Sequence, residues 1–210
     1  MTEPTIGVIL AGGLARRIGG GDKALRVVGG QTVLARLIER MTPQVTRLIL
    51  NANEDAARFA EYGLPVVGDD LPDRPGPLAG VLAGLDWTAR VAPEVQWVVT
   101  VPGDAPFLPS DLVVRLHAVR GEATLACAAS GGRMHPVVTL WPVALRHDLR
   151  RALVDEDLHK VGAYVTRHSP TLVKWPIEDV DPFFNVNTQA DLTEADRLAA
   201  NRCDSELPQT

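Results

Sequence analysis

"GVILAGGLARRIGGGDKAL", running from Gly7 to Leu25, holds six glycines, two adjacent arginines and a lysine directly behind a short apolar run. The run, Ile6–Leu10, lacks the polar alternation of a half-exposed strand and reads as a strand covered on both faces. Gly12 and Gly13 follow at once, where the loop beyond the carboxyl end of a parallel strand turns its amides toward a ligand. Glycine there permits both the backbone angles and a close approach. Residues 12–26 carry Arg16, Arg17, Lys23 and Arg26 against Asp22 alone, four minus one or +3, in a chain of formal net charge −5. A solvated surface loop could hold the same residues, but cations clustered on a glycine-rich loop suit phosphates, and polyphosphate is the natural occupant.

Two familiar phosphate motifs do not fit. A Walker loop needs glycine before its lysine and Ser or Thr after it, whereas Lys23 stands between Asp22 and Ala24. Gly19, Gly21 and Ala24 match G-x-G-x-x-A in letters but lie well beyond the strand instead of opening a helix from it.

Outward from the loop, short apolar runs recur at Leu48–Leu50, Val66–Val67, Trp97–Val101, Leu125–Ala129, Val137–Trp141 and Leu172–Trp175. They alternate with stretches of helical period, which makes the chain α/β. Helices are expected over the stripe Val33, Leu34, Leu37, Ile38 and Met41, and over Leu78–Leu85 behind Pro77. Others are expected over Leu112–Leu116 behind Pro109 and Ser110, over Leu145–Leu153 and over Leu192–Ala199. Between Leu125–Ala129 and Val137–Trp141 lies only "SGGRMHP", too short for a crossover helix. That pair is a hairpin adding an antiparallel strand to a mostly parallel, mixed sheet.

With 210 residues, 46% of them hydrophobic, and no linker of altered composition, one domain is expected over residues 1–201 with a flexible tail at 202–210. A net charge of −5 supplies no general basic field for nucleic acid or a membrane surface, so an anionic partner must be met locally. No apolar run approaches the ~18 residues of a membrane span. Met1–Pro4 is too short and polar for a signal peptide, and a cytoplasmic location is expected. Cys127 and Cys203 stand at no metal or redox spacing, and Cys127 reads as a small core residue.

The strand ends carry polar residues. "VPGDAPFLP" places Asp104 just past the run Trp97–Val101, as a turn or capping aspartate or, opposite a polyphosphate loop, as a carboxylate for Mg²⁺. Asn51 and Asp69 end the second and third strands on the same edge, as turn residues or as ligand contacts. In "FFNVNTQADL", Asn185 and Asn187 share a face if the segment is extended, to hold a metal's water or substrate, while Thr188 suits a helix cap. "RPGPLAG", Arg74 to Gly80, is a rigid turn able to set backbone donors against a flat base. His135, before Pro136, orients the hairpin or touches substrate rather than acting as a base.

Taken in order, "LAGGLARRIGGGDKAL", "DRPGPLAGVLAGL", "VPGDAPFLP", "RMHPVV" and "FFNVNTQADL" resemble the nucleotidyltransferases that begin L-A-G-G-x-(S/A)-x-R-(M/I)-G-x-D-K, and among them the molybdenum cofactor guanylyltransferase family. The resemblance runs from Ile6 to about Ala199, departing at Ile18 and at the extra glycines Gly20 and Gly21. It implies a single Rossmann-like, three-layer nucleotidyltransferase domain. It also implies transfer of GMP from GTP to the terminal phosphate of molybdenum–molybdopterin, releasing pyrophosphate. GTP contacts then fall on Leu10, Ala11, Gly12, Lys23, Asn51, Asp69 and Asp104, with Arg17, Lys23 and Asp104 catalytic and Mg²⁺ on Asp104. Arg133, His135, Asn185 and Asn187 are the pterin-side candidates, and proteins that insert or deliver the cofactor are expected partners. A cytidylyl- or sugar-phosphate nucleotidyltransferase, or a non-catalytic nucleotide-binding protein, remains an alternative, and the choice of guanine rests on the resemblance alone.

Overall fold

Continuous apolar runs do become strands buried on both faces, and the period-2 geometry of a strand divides them between two cores. The structure, a computed structural model, describes residues 3–12, 22–53, 55–71, 76–120 and 125–205, with the side chains of 201–205 excepted. Its strands are β1 (Thr5–Leu10), β2 (Val27–Val28), β3 (Gln31–Thr32), β4 (Arg47–Asn51), β5 (Val66–Val67), β6 (Trp97–Pro102), β7 (Ala126–Ser130), β8 (Arg133–Pro142) and β9 (Thr171–Trp175). Its α-helices are α1 (Val33–Met41), α2 (Pro77–Val91), α3 (Leu112–Val119), α4 (Arg146–Val154), α5 (Val161–Arg167) and α6 (Gln189–Ser205).

The main sheet has seven strands in the order β5-β4-β1-β6-β8-β7-β9, and β2 pairs with β3 in a small separate hairpin. β8 alone runs antiparallel to its neighbours, β6 and β7, while the β5/β4, β4/β1, β1/β6 and β7/β9 pairs are parallel. Ile6 and Val8 of β1 face a core shared with Leu78, Val81 and Leu82 of α2, Leu149 of α4 and Tyr164 of α5. Ile9 faces the other core, with Leu34 and Leu37 of α1, Leu116 of α3 and Leu198 of α6. The result is three layers, helix on sheet on helix, as an α/β pattern with doubly covered strands requires.

The hairpin forms, but β8 begins at Arg133 rather than at Val137, so only Gly131 and Gly132 join the two strands. Both glycines have positive φ, +54° and +77°, the requirement of a two-residue turn whose twist matches its strands. Arg133, Met134, His135 and Pro136 are therefore strand residues, hidden from an apolar-run reading by their polarity. The β6/β8 register is fixed from inside by fully buried Thr100, whose hydroxyl donates to the Val137 carbonyl at 2.6 Å and accepts from Trp141 Nε1 at 2.8 Å. α5, seven residues long, and the two-residue strands β2 and β3 had no period long enough to read.

β1 and β6 approach closely where both end. The Gly103 amide donates to the Leu10 carbonyl at 2.9 Å, and a Cβ on Gly103 would lie 2.9 Å from that oxygen and 3.0 Å from Ala11 Cα. Backbone cannot yield as a side-chain tip can. Gly103→Ala is expected to lower stability by about 1–3 kcal/mol, the usual range for an overpacked site. A thermal melt that matches wild type would show that the strand ends are looser than this contact implies.

Candidate active site

The carboxyl ends of β1, β4 and β6 open into one cavity of about 390 Å³. Leu10, Ala11 and Gly12 line it from β1, Asn51 and Asn53 from β4, and Gly103 and Asp104 from β6. Asp69, Lys23 and Asn185 complete its polar wall. This is the edge at which open α/β sheets bind ligands, and β1, β4 and β6 reach it because all three run parallel.

Lys23 opens a short 3-10 turn, Lys23–Leu25, and its ammonium points at two acceptors from distant parts of the chain. Nζ donates to Asn187 Oδ1 at 2.5 Å and to Asp104 Oδ2 at 3.4 Å, with side chains only 23% and 17% exposed for Lys23 and Asp104. Burial raises the Asp104 pKa above its ordinary value, and the Lys23 charge and hydrogen bond offset that only in part. Asp22, the one acid of the loop, is turned away and pairs with Arg58 Nε at 2.5 Å.

Asn187 is placed by the start of α6. Thr188 Oγ1 accepts from the Asp191 amide at 3.1 Å, while Asp191 Oδ2 accepts from the amides of Thr188 and Asn187 at 2.8 and 2.9 Å. This reciprocal cap confirms the expected helix start at Thr188 and also fixes the backbone of the residue that meets Lys23. One residue earlier, the Val186 amide donates to the Asp104 carbonyl at 2.8 Å, so the segment is tied directly to the acid.

A second polar cluster lies at the β4 end. Asn51 Nδ2 donates to Asp69 Oδ1 at 2.8 Å and to the Val67 carbonyl at 3.0 Å. Asn53 Nδ2 donates to Asp69 Oδ2 at 2.7 Å and its Oδ1 accepts from the Asp69 amide at 2.8 Å. Two amides thus orient one carboxylate, whose remaining lone pairs can accept from a ligand. The arrangement depends on Gly80 of α2, where a Cβ would lie 2.2 Å from Asn51 Oδ1.

Of the residues singled out in the sequence, Leu10, Ala11, Gly12, Lys23, Asn51, Asp69, Asp104 and Asn185 line the cavity, and Asn187 is bonded to Lys23. Arg17, with residues 13–21 around it, lies outside the described residues, as do residues 74 and 75 of the "RPGPLAG" turn. Arg133 is exposed at the start of β8, and neither it nor His135 lines the cavity. His135 Nε2 instead meets buried Ser130 Oγ at 2.7 Å. Cys127 is buried, its thiol pushed up to about 11 by burial, as an inert core residue requires. Asn53 and Asp191 escaped the sequence reading, although N-A-N at 51–53 repeats the period-2 signal of 185–187 and T-x-x-D at 188–191 spells a capping box.

Comparison with known proteins shows the family to which the chain belongs. The model of the MobA-like NTP transferase domain matches residues 7–171. The molybdenum cofactor guanylyltransferase of Nitrobacter hamburgensis is 57% identical over 199 residues, 94% of this chain and 95% of the relative. That of a Bradyrhizobium species is 58% identical over 201 residues, 95% of each. Among solved structures, the molybdopterin-guanine dinucleotide biosynthesis protein A of Archaeoglobus fulgidus superposes with a TM-score of 0.72 at 20% identity, covering 93% of this chain and 99% of that one. The last likeness shows that the three-layer fold is the same.

The raised Asp104 pKa has a sign that can be measured. A carboxyl whose pKa rises on folding weakens the folded state wherever it is ionised, and the deficit fades as pH falls from the raised folded value to the unfolded value of ~3.9. Asp104→Asn in metal-free buffer is therefore expected to melt above wild type at pH 7, with the gap closing toward pH 4. A melting temperature well below wild type at pH 7 would mean that the ion pair with Lys23 outweighs the burial of the acid.

Proposed function

The chain belongs to the MobA-like NTP transferase family, and we propose that it transfers GMP from GTP to the terminal phosphate of molybdenum–molybdopterin, forming the guanine dinucleotide and pyrophosphate. The observation that carries the reading is the joining of Lys23, Asp104 and Asn187 at the ends of β1 and β6, in one cavity with the Asn51–Asp69 pair. An ammonium beside a buried carboxylate serves phosphate chemistry, and an oriented carboxylate at the far wall serves a base. The extent of identity with the two guanylyltransferases, over nearly the whole of each chain, supports the same substrates.

The chemistry asks little of a side-chain base. The attacking group is a phosphate monoester, largely dianionic near neutral pH because its second pKa is about 6. One of its oxygens forms a bond to the α-phosphorus of GTP as the bond from that phosphorus to the β-bridging oxygen breaks, and pyrophosphate leaves with that electron pair. The protein's task is alignment and neutralisation of the charge that gathers on the leaving group. Lys23 supplies a cation that Asn187 holds in place, and Gly12 lines the same cavity. The family resemblance adds Arg17 on the same phosphates.

The donor set suits Mg²⁺. Among the described residues no group of three or more His, Cys, Asp or Glu could form a cage of protein ligands. Mg²⁺ is commonly held by only one or two carboxylates and completed by substrate phosphates, and Asp104 is such a carboxylate, incompletely offset by Lys23 at 3.4 Å. When bound, the ion would withdraw charge from the phosphates. Asp69 faces the other end of the nucleotide: guanine presents an N1–H beside a 2-amino group, two donors that a carboxylate oriented by Asn51 and Asn53 can accept. The reading sets the enzyme in the cytoplasm, with cofactor insertion and delivery proteins taking up its product.

Supplying GTP, CTP and ATP in turn with Mg²⁺ and molybdenum–molybdopterin is expected to release pyrophosphate from GTP only. Release from CTP would move the protein to the cytidylyl branch, and release from none would leave a binding protein. Asp104→Asn should lower turnover on the order of 10²-fold or more, as loss of a central electrostatic group does. Lys23→Ala should weaken GTP binding by about tenfold or more, the scale of one charge-assisted hydrogen bond. Unchanged GTP affinity in the lysine variant would remove Lys23 from the phosphate site.

A further inference from the structure

Residues 181–187 cross from β9 to α6 outside any helix or strand, yet they carry Asn185 into the cavity and Asn187 onto Lys23. A segment without a ladder of its own is located only by its anchors. The cap at Asp191 and the bond from the Val186 amide to the Asp104 carbonyl hold its far end. Its near end is held by a buried polar cluster that takes no part in the chemistry above.

Ser130, the last residue of β7, is 3% exposed. Its Oγ donates to Asp181 Oδ1 at 2.8 Å and lies 2.7 Å from His135 Nε2. The same Asp181 oxygen accepts from the Phe183 amide at 2.9 Å, and the Asp181 carbonyl accepts from the Phe184 amide at 3.0 Å. The Phe183 ring packs between His135, at 4.7 Å between centroids, and Trp175 of β9, at 5.4 Å. Proton accounting fixes the direction of the chain. A carboxylate has no proton to give, so the single hydroxyl proton of Ser130 goes to Asp181 and His135 must donate through Nε2. Burial lowers the His135 pKa, with Asp181 opposing, which favours a neutral ring, and the hydrogen bonds at Ser130 place its proton on that nitrogen.

We infer that Ser130, His135 and Asp181 are positioning residues for the transfer reaction, a latch by which the tip of the β7–β8 hairpin sets the strap that delivers Asn185 and Asn187 to the site. The inference rests on the assignment of Asn187 and Lys23 to the reaction made above. The hairpin suits the task because β8 reverses direction between two strands of like direction, so that β7 ends at the same sheet edge as β6. His135 then acts through Ser130 and Asp181 rather than by touching substrate, and it explains why a histidine stands in the hairpin without lining the cavity.

The test is a cycle between the latch and the strap, read as GTP affinity, kcat and melting temperature with GTP, Mg²⁺ and molybdenum–molybdopterin. Ser130→Ala is expected to lower kcat by about tenfold or more while GTP affinity changes by less than about threefold, since the Asn51–Asp69 end of the site is untouched. In an Asn187→Ala background the same change should lower kcat by only about twofold or less, because the latch then has little left to position. Ser130→Thr, which keeps a hydroxyl, should recover most of kcat. Equal losses in both backgrounds, or a kcat unchanged by Ser130→Ala, would overturn the latch. A wild-type kcat in Asn187→Ala alone would overturn the parent assignment instead. If Ser130→Ala fails to fold, His135→Phe keeps a ring on Phe183, removes the Nε2 donor and is subject to the same comparisons.

Discussion

Everything at this site is arranged around a carboxylate that has been drawn out of water. Asp104 stands at the end of β6 with most of its surface covered, and its one close cation among the described residues, Lys23, comes from 81 residues earlier in the chain. The pair is longer than an ideal ion pair at 3.4 Å, while the same ammonium sits at 2.5 Å from an uncharged amide, Asn187. A charge held this way remains available. Burial of the acid, offset only in part by Lys23, leaves a carboxylate that a stronger partner can take up.

That constraint explains much of the surrounding construction. The close contact of Gly103 with Leu10 and Ala11 brings the ends of β1 and β6 together, so the loop after β1 and the acid after β6 face one space. The reciprocal cap of α6 fixes Asn187, and the Val186 amide is spent on the carbonyl of Asp104 itself. Gly80 keeps the surface of α2 low enough for Asn51 to turn toward Asp69. Apart from the cap, which is local to the start of α6, each device involves one backbone atom or one missing Cβ and lies between elements remote in sequence.

The remoteness marks where sequence reading succeeds and where it stops. The parallel strands were legible because burial on both faces demands unbroken apolar runs, and the α1 stripe because one face of that helix is packed. The α2 stripe was legible because its large side chains recur at helical period, although Leu78–Leu85 is buried throughout. Asn51, Asp69 and Asp104 were legible as polar residues at strand ends, a position that open α/β sheets make significant, and Lys23 as a cation of the glycine-rich loop after β1. The first four residues of β8 were not, because Arg133 and His135 break the apolar run, although the paired glycines before them announced the turn. Asn53 carries only the faint period-2 signal of N-A-N, and Ser130 carries none: a serine at a strand end gains meaning only from a carboxylate 51 residues further along the chain.

The antiparallel strand draws these points together. An all-parallel sheet would place every strand start at one edge and every strand end at the other, and no hairpin turn could lie on the ligand side. Inserting β8 puts the start of one strand beside the ends of its neighbours, so the turn at Gly131 and Gly132 falls at the sheet edge that holds the cavity. There Ser130 and His135 can meet Asp181, and the chain between β9 and α6 gains a fixed anchor close to Asp104. The β1/β4/β6 half of the sheet supplies the cavity and its charges. The mixed half, whose topology looks like an irregularity in the α/β pattern, supplies the rigid support for the strap that crosses back into that cavity, so the break in the strand pattern is itself part of how the site is built.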